Sequence, residues 1–156
     1  MLGLGANGEI AGHSPNRRER GSVRIRGGRV LEVRLGRLVH VGEMQSLATE
    51  IRAALRDIGR GAVIATDARF ASPVLSEVGR VWSNTLREAN AVIVCSAFLL
   101  DPSNTMFNLQ LERILRCAGH PARQCFTNLE EVHEWIGAVL SDAEQQALYP
   151  LLALDP

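Results

Sequence analysis

Most of the chemically capable residues of this chain fall in one short stretch, Thr66-Asp-Ala-Arg-Phe-Ala-Ser-Pro-Val-Leu-Ser-Glu-Val78. Asp67 closes an apolar run, where α/β sheets commonly deliver functional groups, and it equally suits capping the next turn or pairing with Arg69. Phe70 adds an aromatic ring and Glu77 a second carboxylate. Ser72, directly before Pro73, reads as a helix N-cap with proline at the first helical position. The same hydroxyl, or that of Ser76, is a candidate phosphate acceptor, because a helix N-terminus favours an added anion. Cys117-x2-His120-x4-Cys125 has good zinc donors but no fourth clustered ligand, and its cysteines fall on different predicted elements, so no metal site is assigned. Cys95 lies in an apolar run with no catalytic signature around it and reads as a buried structural thiol. Gly3, Gly5 and Gly8 match a dinucleotide-loop spacing, but no strand precedes them.

Composition removes whole classes of chemistry. All 17 basic residues are Arg, which excludes a catalytic or Schiff-base lysine and a phosphate-loop lysine. The 17 acidic residues cancel them to a net charge of zero, against non-specific nucleic-acid binding. At 156 residues one domain is expected, large enough to fold without disulfides or metal. Three cysteines at no framework spacing suit a reducing, cytoplasmic setting. Neither a signal peptide nor a transmembrane segment is evident, so the chain reads as soluble.

Residues 1–22 combine glycines with a charged cluster and are read as a flexible N-terminal arm. Alternation in Val30–Leu35 predicts a strand, and Gly36-Arg37 a turn into a second strand over Leu38–Val41, together a β-hairpin. A short strand over Ser22–Arg26 is compatible with the pattern. Met44, Leu47, Ile51, Leu55 and Ile58 predict an amphipathic helix stopped by Gly59. Ala62–Thr66 predicts a buried strand, Ser72 the start of a helix to Ala89, and Ala91–Ser96 a second buried strand. A third helix starts at Asp101 or Ser103 and ends at Gly119-His120-Pro121. Ala122–Phe126 predicts an edge strand, and Thr127 or Asn128 caps a helix with Trp135 and Ile136 facing inward. Residues 141–156 carry Leu148, Tyr149, Leu151, Leu152 and Leu154, an apolar tail expected to pack on the domain or on a partner. Alternating strands and helices define an α/β sandwich with a mixed, mostly parallel sheet, an N-terminal hairpin and about four helices.

That order resembles the STAS fold of anti-sigma-factor antagonists, and more closely its SpoIIAA-like relatives. The resemblance covers residues 23–140 and rests on the hairpin at 29–41, the helix ending in Gly59, the strand running into Asp67, and the ending ARQCFTNLEEVHEWI. It implies a bacterial, cytoplasmic protein–protein interaction domain used in regulation and signalling, not an enzyme, with no cofactor. The implied partner is a protein such as a regulatory kinase or a sigma-regulatory protein, with a homodimer left open. Relatives are switched by phosphorylation of a Ser or Thr at the helix start after the central strand. Here the Asp-Ser-Ser-Gly-Leu signature is absent, which leaves Ser72 and Ser76 as acceptors, Ser72 the better placed, with Asp67, Arg69, Phe70 and Glu77 around them. The alternative implied by the fold is a small apolar-ligand or lipid-binding domain.

Overall fold

The computed structural model describes residues 20–153. The glycine motif at residues 3–8 and most of the expected arm lie outside them. The elements are β1 (Gly21–Arg26), β2 (Val30–Leu35), α1 (Val41–Ile58), β3 (Ala62–Asp67), α2 (Ser76–Ala89), β4 (Ile93–Leu99), α3 (Thr105–Ala118), β5 (Arg123–Phe126), α4 (Leu129–Gly137) and the short α5 (Asp142–Gln146). Among the described residues this is an α/β fold with one five-stranded mixed sheet and five helices.

Strand order in the sheet follows chain order, β1 to β5, with β1 antiparallel to β2 and every later pair parallel. When sequential parallel strands are joined by crossovers of one hand, the connecting helices fall on one face. Side-chain alternation bears this out. Leu31, Val33, Leu35, Ile64 and Phe98 pack under α1, α2 and α3, whose buried stripes include Leu47, Trp82 and Leu111. Their neighbours in sequence, Val30, Val63, Ala65, Cys95 and Ala97, point the other way and are covered by Val132 and Ile136 of α4 and by Leu148, Leu151 and Leu152. Leu148, Leu151 and Leu152 of the apolar tail thus pack on their own domain, Tyr149 is 92% exposed, and Leu154 lies outside the described residues.

Several boundaries differ from the sequence expectation. The expected strand over Leu38–Val41 does not form, and the hairpin is instead β1 with β2, turned through Gly27 and Gly28 at φ +60 and +92. Two consecutive residues at positive φ give a turn that matches strand twist, and glycine adopts them at little cost. Leu38 is fully buried at φ +51, and the Glu43 carboxylate accepts the His40 N–H at 2.9 Å, which starts a helix where a strand was expected. The arm expected to run to residue 22 also ends earlier. The Arg20 guanidinium donates to Ser46 and Glu50 of α1, and β1 begins at Gly21.

Ser72 does not cap α2. The Gln110 side chain accepts the Val74 N–H and donates to the Val74 carbonyl, both at 2.9 Å, holding this segment extended. The helix therefore begins at Ser76, with Leu75 in the cap position. β4 is displaced from Ala91–Ser96 to Ile93–Leu99. α3 begins at Thr105 because Asp101 instead accepts the backbone N–H and hydroxyl of Ser103, an Asx turn that postpones the helix. Asn128, not Thr127, caps α4 by accepting the Glu130 N–H at 2.7 Å.

Candidate functional site

β3 ends at Asp67, and the following loop runs along the carboxyl edge of the parallel strands. The Asp67 carboxylate is almost fully buried and grips Arg69 through two bonds, Nε to Oδ1 at 2.9 Å and Nη2 to Oδ2 at 2.8 Å, while Oδ1 also accepts the Arg69 N–H. Those bonds push the Arg69 pKa up, against an opposing effect of burial. Asp67 is therefore an ion-pair partner within the loop. Arg69 reaches further, donating to the Leu152 carbonyl at 2.9 Å, and its guanidinium lies 5.6 Å from the centre of the Phe70 ring.

The loop is tied down from every side. The Ala68 N–H donates to Leu99 of β4, Asn104 donates to the Ala71 carbonyl at 2.6 Å, Ser72 Oγ donates to the Arg37 carbonyl at 2.9 Å, and Gln110 holds Val74. A backbone held by this many elements has little freedom left, so its outward side chains are presented in a fixed arrangement. Those side chains are Phe70, 62% exposed, and Leu75, 61% exposed, followed by the exposed Ser76 and Glu77 at the start of α2. Val39, in the loop after β2, and Met106, in the first turn of α3, are exposed at the same edge.

The structure thus brings Asp67, Arg69 and Phe70 together as one unit and sets Ser76 and Glu77 at the adjoining helix start. Ser72 is turned toward the β2–α1 loop, with its hydroxyl already engaged. Gln110 and Asn104, which stiffen the loop, have no local sequence signature, because their partners lie 36 and 33 residues away.

Alternation in Val30–Leu35 turns Glu32 and Arg34 away from the helix layer, onto the face that a half-buried strand leaves to solvent. Glu32 is instead 3% exposed, covered by the tail. Its carboxylate accepts Arg26 Nε at 2.6 Å, Arg34 Nε at 3.1 Å and the Leu152 N–H at 3.2 Å. Burial raises its pKa, but the two arginines and the amide outweigh this and hold the group below its ordinary 4.5. Arg34 also donates to the Ala153 carbonyl, and Arg29 binds Glu144 and the Val139 carbonyl. Leu152 itself sits at φ +55, an uncommon value for a non-glycine residue, held by contacts to both its N–H and its carbonyl.

Open-sheet α/β proteins place ligands in the crevice where strand order reverses, and a strictly sequential order supplies no such reversal. The space between the sheet and the three crossover helices is filled by Trp82, Phe98 and Phe107, with ring centroids 6.1 to 6.3 Å apart around Trp82. Two hollows open on the outer side of the helices, one between α2 and α3 and one between α1 and α2. Cys95 is buried, and burial pushes its thiol up. His120 Nδ1 accepts the Ala122 N–H, and among the described residues no three His, Cys, Asp or Glu side chains converge as a metal cage would require.

Fold and site together define an α/β domain with a sequential mixed sheet and a braced, partly apolar loop at its carboxyl edge. No family model, curated protein or solved structure matches the chain. Among the described residues no helix is long and apolar enough to cross a membrane.

Proposed function

We propose that the chain is a non-enzymatic protein–protein interaction and regulatory module of the STAS (SpoIIAA-like) type, with the Asp67–Glu77 loop and helix start as its contact surface. One observation carries this reading: Phe70 and Leu75 stand more than half exposed on a backbone that Asn104, Gln110, Arg69 and Ser72 hold in place. Apolar anchors on a pre-organised loop bind with little entropy left to lose, which is how interface hot spots arise. Of the features that carry the family resemblance, the helix ending in Gly59, the strand into Asp67 and the closing strand and helix support the same reading, while the hairpin at 29–41 is replaced by β1 with β2.

Phosphorylation is part of the proposal, and Ser76 is its better acceptor. Its side chain is exposed at the first residue of a 14-residue helix, whereas the Ser72 hydroxyl is committed to Arg37. A phosphate there would add two or nearly two negative charges beside Leu75 and Glu77, altering the docking surface without refolding it.

The test is affinity capture of the tagged protein from its native cells, with mass spectrometry of the partners and of the bait's own phosphosites, repeated with Phe70→Ala/Leu75→Ala. A regulatory kinase or sigma-regulatory protein that is lost from the double variant, with phosphate on Ser76, is expected. The same partners captured undiminished by the double variant would overturn the assigned surface.

A further inference from the structure

We propose that the groove between α2 and α3 is the seat of an acidic amphipathic helix from a partner protein. The inference rests on the reading of the chain as an interaction module and names the kind of partner it takes.

The groove has a volume of about 500 Å³ and is lined on both sides by arginine, Arg80 and Arg87 from α2 and Arg113 from α3, with no Asp or Glu in its lining. None of the three pairs with a carboxylate among the described residues, and Arg87 makes one bond, to the Cys117 carbonyl. In a chain whose charges cancel overall, this is a local surplus. Two of the neighbouring acids are turned away. Glu88 is drawn across to Arg52 on α1, and Glu112 lies on the side of Cys125, whose thiol burial and this carboxylate push up.

The spacing selects the ligand. Arg80 and Arg87 are seven residues apart on one helix, about 10 Å along its axis. They match carboxylates two turns apart on an incoming helix. The floor is apolar at the N-terminal end of α2, where Val74, Gly79 and Ile114 meet, and polar beside Ser83 and Asn84, which lie between Arg80 and Arg87 in sequence. A Cβ at Gly79 would stand in ordinary contact with Ile114 Cδ1 at 3.6 Å, so the two helices approach closely there. Cationic walls over a partly apolar floor complement a helix with an apolar stripe flanked by Glu or Asp. A single-stranded nucleic acid would call for stacking rings, and no aromatic side chain lines the groove.

The test is an NMR titration of the 15N-labelled full chain with a synthetic helical peptide of about 16 residues, carrying a leucine stripe and glutamates two turns apart. Its Glu→Gln counterpart and a short single-stranded oligonucleotide are titrated in parallel. The glutamate peptide should shift amides along the facing sides of α2 and α3. It should weaken about tenfold in the R80Q/R87Q/R113Q variant, equivalent to about 1.4 kcal/mol, and weaken again as salt is raised. Gly79→Leu, which fills the floor and leaves the charges intact, should also reduce binding. Circular dichroism confirms that each variant is folded. Absence of shifts, equal binding of the Gln peptide, or tighter binding of the oligonucleotide would each overturn the proposal. Leu75 and Ser76 belong to both the groove and the Asp67–Glu77 surface, whereas Phe70 lies outside the groove; Phe70→Ala should therefore leave the peptide affinity unchanged and separates failure of the groove from failure of that surface.

Discussion

The docked tail makes a prediction that can be worked through in energy. Leu151 is fully buried against the sheet face formed by Val30, Val63 and Ala65, although it belongs to a segment outside regular helix or strand. Leu151→Ala removes its transfer energy and leaves a cavity, together about 2–5 kcal/mol. The lower end applies if residues 148–153 can settle into the space, and the Arg34 and Arg69 contacts to Ala153 and Leu152 limit that settling. For a domain of this size each kcal/mol moves Tm by roughly 2–4 °C, so a fall of about 4–20 °C is expected. Tyr149, two residues away and 92% exposed, provides the control, because Tyr149→Ala should change stability by less than about 0.5 kcal/mol. Calorimetry and urea unfolding measure both. Trp82 and Trp135 report separately, since they lie in the two layers on opposite sides of the sheet. A Leu151→Ala protein within about 1 kcal/mol of the parent, or a Tyr149→Ala protein equally destabilised, would refute the claim that the tail closes this core.

Acid should loosen the same region. Glu32 is held below 4.5 and Glu144, hydrogen-bonded by Arg29 and by the Ser141 N–H, is lowered to about 2, so both are more acidic folded than unfolded. Their stabilisation is complete above their unfolded values and is lost as pH falls through the folded ones. Unfolding midpoints measured downward from neutral pH should therefore drop less steeply in Glu32→Gln/Glu144→Gln than in the parent, and identical slopes would contradict this. Asp67→Asn strips Arg69 of its counter-charge at a site where Arg69 is about one-fifth exposed. A loss of about 1.5–3 kcal/mol is expected, largely relieved by adding Arg69→Gln, and a double-mutant cycle with no coupling would show the pair to be incidental. Glu77→Arg should weaken capture of the partner while changing stability by no more than about 1 kcal/mol; unaltered capture would remove Glu77 from the contact surface.

The elements most legible in sequence were those whose signal is local. The 3.6-residue stripe from Met44 to Ile58, stopped by Gly59, and the apolar run into Asp67 coincide with α1 and β3 to within a few residues. The hairpin was misjudged because alternation in Val30–Leu35 continues into Leu38–Val41, and the stronger turn signal, Gly27-Gly28, lies on the other side of β2. Ser72-Pro73 fits an N-cap as well as any pair of residues does; what decides otherwise is a carbonyl 35 residues back and a glutamine amide 36 residues on from Val74. The site divides in the same way. Asp67, Arg69 and Phe70 are neighbours in sequence and were found together. Their attachment to Leu152, and the burial of Glu32 beneath it, depend on the chain returning to a sheet face that alternation alone marks as solvated.

Because strand order repeats chain order, each new strand and helix can dock beside the one just made, and little in the sheet waits for distant sequence. The tail contacts are the exception, with Arg29 to Glu144, Arg34 to Ala153 and Glu32 to Leu152 spanning 115, 119 and 120 residues. A chain growing from its N-terminus would finish the three-helix side first, cover part of the opposite face with α4, and leave the cover of Val30, Val63, Ala65 and Ala97 incomplete until residues 148–152 emerge. The last residues to arrive are thus the ones that end the nascent domain's exposure to aggregation, and their release would be the first step of its unfolding.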